Sequence, residues 1–212
     1  IEATYNCFRA CSWRQQVLDI YGINRWYLNV DSDELFHVDE KIEEYIDSIN
    51  KDGHKSVKAI MIDVYSKKPI FENKNISDME FVDSNTYKTE INPFYGLRIY
   101  GGPRERVFGL KSSLQKIPLL YYTGNELIVN YHFVFPKELN FVNISSAIFH
   151  YKFLPNSLSL YKNMAKSGVY WQDSKEYKKY LSAYEDDAKL SMFSKDSSIR
   201  IEDFRLSDII PE

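Results

Sequence analysis

Apolar positions along the chain first recur at helical spacing. Between about Asn6 and Tyr21, Phe8, Cys11, Gln15 and Leu18 fall on one side, with Arg14 and Gln16 on others. This spacing predicts an amphipathic helix closed by Gly22. The pattern then changes. Trp26 to Val30 is aromatic and β-branched, as a buried strand requires, and three carboxylates follow it at Asp31, Asp33 and Glu34. Asp39 to Asn50 returns to the helical period with Ile42, Tyr45, Ile46 and Ile49, and Gly53 ends it. Ser56 to Tyr65 reads as a buried strand. A helix between two strands predicts a crossover unit and parallel pairing. Ser66 to Asn92 is polar and weakly periodic, which predicts a long irregular connection.

Gly96 to Phe108 comes next, and strand-like runs follow at Leu114 to Tyr122, Leu127 to Val134 and Ala147 to Leu154. From Tyr161 onward the period is helical again, with Tyr170, Tyr177, Tyr180, Leu181 and Tyr184 on spaced positions. The order of elements is that of an α/β protein.

Composition narrows the class. The 212 residues are 44% hydrophobic and 27% charged, enough to build a core. A net charge of -3 argues against a nucleic-acid partner, which needs a basic face. No apolar run approaches the ~20 residues of a transmembrane helix. Cys7 and Cys11 are the only cysteines, and their spacing suits two reduced structural thiols better than zinc or a disulfide. The expected location is cytoplasmic, with room for peripheral attachment to the inner face of the membrane.

Candidate chemistry starts at the acidic turn. In an extended segment Asp31 and Asp33 point to the same side and can share one divalent cation, Mg²⁺ or Mn²⁺ bridging a diphosphate. An ordinary solvated turn is the other reading. Gly101-Gly102-Pro103-Arg104-Glu105-Arg106 joins glycines that allow close ligand approach to two guanidinium forks. A surface turn with a local ion pair is its alternative. Lys116 and Lys152, set among apolar residues, can neutralise a leaving diphosphate or serve as edge gatekeepers. His37 and His54 read as surface residues, and His132 and His150 lie inside apolar strands. A strand histidine is most often a hydrogen-bonded core residue. His150, two residues before Lys152, is the better candidate to join Asp31 and Asp33 as a metal ligand.

These segments stand in a recognisable order. W-x-x-x-x-D-x-D-E spans Trp26 to Glu34, and IMIDVYSKKP follows at Ile60 to Pro69. GGPRERVF covers Gly101 to Phe108, and K-x-P-L covers Lys116 to Leu119. The His132 segment, IFHYKFLP at Ile148 to Pro155 and the Y-x-x-Y pair Tyr177 and Tyr180 complete the set. Over nearly its whole length the chain resembles a family-2-type glycosyltransferase with the GT-A fold.

The resemblance implies a Rossmann-related mixed sheet flanked by helices, with a C-terminal helical segment. It implies transfer of a sugar from a nucleotide-diphosphate sugar, UDP-linked by expectation, to a carbohydrate or glycolipid acceptor in cell-surface polysaccharide or glycoconjugate synthesis. Mn²⁺ or Mg²⁺ is the implied cofactor. Asp31 would face the ribose or a metal-bound water and Asp33 would ligate the metal. Arg104, Arg106, Lys116 and Lys152 would join Asp31 in holding the donor, and Glu34 would orient the turn. Glu105, between two arginines, is the expected general base, with Asp63 second.

The expected organisation is a core over residues 1–155 and a helical extension over 156–212. The helices and strands that cradle the nucleotide in such folds are not represented before the acidic turn, so a preceding segment of roughly 80 to 100 residues is expected. A non-catalytic binding module on the same scaffold is the alternative function. A phosphohydrolase is a third, disfavoured because two-metal sites cluster more ligands.

Overall fold

A computed structural model describes residues 6–93, 96–130 and 132–209. The chain begins with α1 (Cys7–Tyr21), where the Asn6 side chain accepts from the Arg9 N–H at 3.0 Å and Gly22 closes the last turn. Then follow β1 (Arg25–Leu28), β2 (Glu34–His37), α2 (Ile42–Lys51) and β3 (Ser56–Asp63). β4 (Phe81–Asp83), β5 (Tyr87–Asn92) and β6 (Gly96–Gly101) lead into α3 (Gly102–Phe108) and β7 (Gln115–Tyr122). β8 (Leu127–Ile128), β9 (Val134–Phe135) and β10 (Ile144–His150) precede α4 (Ser157–Ser167), α5 (Trp171–Asp186) and β11 (Ser198–Arg200). Among the described residues no helix is long and apolar enough to cross a membrane.

The fold is α/β. Its central sheet has the order β1-β7-β3-β10-β2. Only β3 and β10 run parallel, and the other neighbours are antiparallel. The expected parallel crossover is not formed: the Trp26–Val30 strand is β1, a partly exposed edge strand with β7 between it and β3, and β2, the short strand just before α2, has β10 between it and β3. The parallel neighbour of β3 comes from further along the chain, with Asp63 and His150 paired 87 residues apart, where local periodicity carries no information about pairing.

All eight residues of β3 are buried, which explains its unbroken apolar run. Tyr45 and Ile49 of α2 pack with Val57 and Leu119. Leu18 of α1 packs with Ile117, Leu120 and Tyr122 of β7. Ile60, Ile62 and Phe149 form a third cluster with Phe204 and Ile209 from the chain's last stretch. Residues 156–209 thus supply more than helices, since β11 also pairs with β4.

The segment 66–92 is more ordered than its polarity predicts. β5 alternates Tyr87, Thr89 and Ile91 with Lys88 and Glu90, and pairs with β6 as a two-stranded sheet. β4 is held by its buried carboxylate Asp83, which accepts from Arg106 Nη2 at 2.8 Å, Thr86 Oγ1 at 2.7 Å and the Tyr65 hydroxyl. Cys11 is buried, and the Cys7 side chain lies outside the described residues.

The two glycines at the β6–α3 junction serve the fold. A Cβ on Gly101, at φ +108°, would stand 2.3 Å from the Thr86 carbonyl oxygen, and one on Gly102 would stand 3.0 Å from the Tyr87 ring. They let α3 start hard against β5, so the close approach expected for a ligand is made by the protein's own backbone. Gly101→Ala is expected to lose about 2–4 kcal/mol in urea denaturation, combining left-handed strain with a backbone clash. Gly53→Ala, at φ +73° with open space around it, is the control, expected to lose only about 1 kcal/mol. Equal losses at the two sites would refute the packing account.

Candidate functional site

The carboxyl ends of β3 and β10 lie side by side, because Asp63 and His150 are register partners. Asp63 Oδ1 accepts from His150 Nδ1 at 2.6 Å, and its Oδ2 accepts from Arg104 Nε at 2.7 Å. Arg104 reaches Asp63 because α3 starts beside β3 and turns this side chain inward, where it is 5% exposed. Further out, Arg104 Nη1 stands 3.5 Å from Glu176 Oε1 on α5. The same oxygen receives Lys152 Nζ at 3.1 Å and the Tyr180 hydroxyl at 2.6 Å. On the opposite side, His150 Nε2 faces Asp33 Oδ2 at 3.6 Å. Asp33, Asp63 and Glu176 thus alternate with His150, Arg104 and Lys152 in one chain of charges.

Electrostatics follows from that alternation. Burial opposes ionisation of Asp33, but the His150 hydrogen bond and the charges of His150 and Lys152 outweigh it and bring the carboxyl down to about 2. Asp63 is likewise held below the ordinary carboxylate range, with Arg104 and His150 overcoming its burial. Burial alone would lower the His150 pKa, but hydrogen bonds to Asp33 and Asp63 raise it. Lys152 stays charged because Glu176 overrides its desolvation, and Glu176 is held ionised by Lys152 and Arg104. With His150 protonated, the three carboxylates are balanced by three cations.

The acidic turn supplies the outer edge. β1 and β2 are opposite edge strands of the sheet, yet residues 29–33 join them across the ends of β7, β3 and β10. Four strand spacings span ~19 Å, and six extended residue steps reach only ~20 Å. The Glu34 N–H bond to the Asp31 carbonyl tightens this segment, so the sheet has to curl to bring its edges within reach. Asn29 N–H bonds to the Pro118 carbonyl at one end, and Tyr151 N–H bonds to the Asp33 carbonyl at the other.

Asp31 and Asp33 consequently belong to different neighbourhoods. Asp31 lies over β7, where Lys116 Nζ stands 2.9 Å from its Oδ2 and Arg14 of α1 holds Oδ1. Glu34 pairs with the same lysine and accepts the Asp31 N–H at 2.9 Å, so it does orient the turn. The expected triad of ligands is therefore not assembled: Asp33 and His150 meet, and Asp31 is neutralised elsewhere. The bend at Asp31 removes the two-residue period that an extended segment would have kept. Among the described residues no three His, Cys, Asp or Glu side chains are grouped to hold a metal ion.

The pair Asp33 and His150 still fits a hard divalent cation that keeps waters and takes substrate phosphates as its remaining ligands. The back of the imidazole fits as well. A metal-bound histidine commonly donates its other nitrogen to a carboxylate, as His150 Nδ1 does to Asp63.

The other expected site residues are distributed around this centre. Glu105 Oε1 pairs with Lys88 on β5 at 3.1 Å, and its Oε2 is buried without a hydrogen-bond partner. Asp63 is sealed between Arg104 and His150, which suits positioning rather than proton abstraction. Arg106 turns away to Asp83 and the Met192 carbonyl. His132 lies in the bend between β8 and β9 rather than inside a strand, and is hydrogen-bonded there, with Nδ1 2.8 Å from the Gln115 carbonyl oxygen. His37 is half-buried and packs on Phe149, ring centroids 4.7 Å apart, so it is not simply a surface residue. Glu176, which completes the charge chain, was not singled out by the sequence reading. The Y-x-x-Y pair that begins at the next residue, Tyr177, is the available signal.

No family model matches the chain, and no curated protein or solved structure is similar enough to count as a match.

Asp63→Asn leaves Arg104 and His150 facing a neutral amide in the interior. It is expected to cost about 3–5 kcal/mol at neutral pH. A carboxylate whose pKa is depressed on folding contributes stability above its unfolded value, here 3.8, and loses it as pH falls through the folded value. The gap between wild type and variant should therefore narrow below about pH 3.8. Denaturant midpoints measured from pH 7 to pH 2 test this, and a gap independent of pH would refute it.

Proposed function

We propose that this chain carries the catalytic face of a metal-assisted glycosyltransferase of the GT-A type. The reaction moves a sugar from a nucleotide-diphosphate sugar, a UDP-sugar as first choice, to a hydroxyl of a carbohydrate or glycolipid. The observation that supports this reading best is the Asp33–His150–Asp63 relay at the carboxyl ends of the two parallel strands. Ligands of open α/β sheets bind outside that end.

Asp33 and His150 would hold Mn²⁺ or Mg²⁺, which when bound supplies Lewis-acid stabilisation to the departing diphosphate. Asp63 fixes the His150 ring and keeps the proton on Nδ1, leaving Nε2 turned outward. Arg104 holds Asp63 in place. Lys152, with its side chain 13% exposed, contributes positive charge beside Asp33 without requiring proton transfer. Asp31 anchors the crossing segment through Arg14 and Lys116, which fixes where Asp33 stands.

A binding module on the same scaffold is the second reading. It is favoured by the capture of Asp31 by two cations, which leaves one carboxylate of the acidic motif for a metal.

Calorimetric titration of UDP with Mn²⁺ separates the two. Wild type is expected to bind UDP only with the metal present, and Asp33→Ala and His150→Ala to weaken that binding about 10- to 100-fold. UDP binding that ignores both the metal and these substitutions would refute the transferase site.

A further inference from the structure

Glu176 is the one carboxylate of the charge chain that comes from a helix outside the central sheet. Its Oε1 alone collects Lys152 Nζ at 3.1 Å, Arg104 Nη1 at 3.5 Å and the Tyr180 hydroxyl at 2.6 Å. Two cations and a hydroxyl converging on one oxygen make an anion seat, the arrangement that suits a phosphate oxygen. The seat is rigid on the protein side. Arg104 is fixed by Asp63, and Tyr180 is completely buried against Phe108 and Phe153, ring centroids 4.7 Å and 5.0 Å away.

The occupant is held less firmly than its seat. The Glu176 side chain is 30% exposed, against 5% for Arg104 and 13% for Lys152. Just before it, Gln172, Asp173 and Ser174 all lie in the left-handed region at φ +49°, +58° and +58°. Three successive L-residues there store strain that a movement of the turn releases. Tyr177, on the next position, lies under the Lys152 ammonium with its ring centroid 5.1 Å away, so the lysine keeps a partner when the carboxylate leaves.

We propose that Glu176 is an internal stand-in for a substrate phosphate: a diphosphate arriving at Asp33 displaces its carboxylate from Lys152 and Arg104. This rests on the transferase reading for its location and adds the device that keeps the cations paired until a donor arrives. The resident carboxylate competes with the incoming anion, so the apparent dissociation constant is the intrinsic one divided by the fraction of chains with the seat open.

The test uses the full chain and Glu176→Gln, with inorganic pyrophosphate and with UDP plus Mn²⁺ as separate probes. The amide keeps the size of the side chain and an acceptor for Tyr180, and circular dichroism checks folding. Glu176→Gln is expected to bind pyrophosphate about tenfold more tightly than wild type. Adding Lys152→Gln should abolish the gain.

Unchanged or weaker pyrophosphate binding in folded Glu176→Gln overturns the proposal, even where wild type binds UDP and Mn²⁺ through Asp33, and the transferase reading then survives alone. A gain for pyrophosphate without metal-dependent UDP binding upholds the anion seat and removes the nucleotide-sugar reading. If Glu176→Gln is unfolded, pyrophosphate titration of wild type and Lys152→Gln decides. Loss of pyrophosphate binding in Lys152→Gln supports the seat, and equal binding refutes it.

Discussion

A carboxylate buried at the end of β3 sets the terms for everything around it. Asp63 is 2% exposed in its side chain and has no water to solvate it, so it must be met by donors on both oxygens. Arg104 fills one position and His150 the other. Each then passes its own requirement outward. Arg104 has one carboxylate and needs a second neighbour for its outer edge, which Glu176 supplies from α5. His150 turns its remaining nitrogen to Asp33 in the crossing turn. In this way one buried charge ties β3, β10, α3, α5 and the acidic turn into a single constellation.

The packing holds that constellation at both ends. α5 is located by Tyr180, wedged among Phe108, Phe153 and Tyr161, with edge-on or stacked ring pairs each worth about 0.5–1.5 kcal/mol beyond their buried area. The crossing turn is located by Lys116, a buried lysine on β7 that takes both Asp31 and Glu34. A curled sheet brings these two supports to the same end of the molecule. The polar centre is thus the product of apolar packing well away from it.

Much of this was legible in the sequence because the signals are local. Asn6 and Gly22 bracket α1, the Ile and Tyr positions at helical spacing mark α2, and the apolar run 56–63 is a fully buried strand. His150 was the expected partner of both Asp31 and Asp33, and only Asp33 meets it. What escaped is non-local. That β10 inserts between β2 and β3 depends on pairs such as Asp63 and His150, 87 residues apart, and periodicity cannot encode it. That Asp31 and Asp33 part company depends on Lys116 and Arg14, which lie 85 and 17 residues away from Asp31. The glycines of Gly101-Gly102 suggested a close approach by a ligand, but what approaches them is Thr86 and Tyr87. Glu176 was hidden for a different reason: one glutamate on a polar helix face looks like every other until the fold sets two cations opposite it.

Stability alone is a poor reason for such a centre. Removing charges from water costs several kcal/mol per ion, and well-packed apolar residues often fill the same volume as stably. Aromatic packing already dominates the neighbourhood of α5, so an apolar solution was within reach of this fold. The charge chain is also graded rather than uniformly sealed. Side-chain exposure rises from 2% at Asp63 to 7% at His150 and 31% at Asp33, and on the other branch from 5% at Arg104 to 30% at Glu176, with Lys152 beyond it at 13%. A purely structural network gains nothing by opening at both ends. A binding site of the kind proposed would, because the buried middle fixes geometry while the exposed groups, Asp33 beside His150 at one end and Glu176 over Arg104 and Lys152 at the other, face solvent.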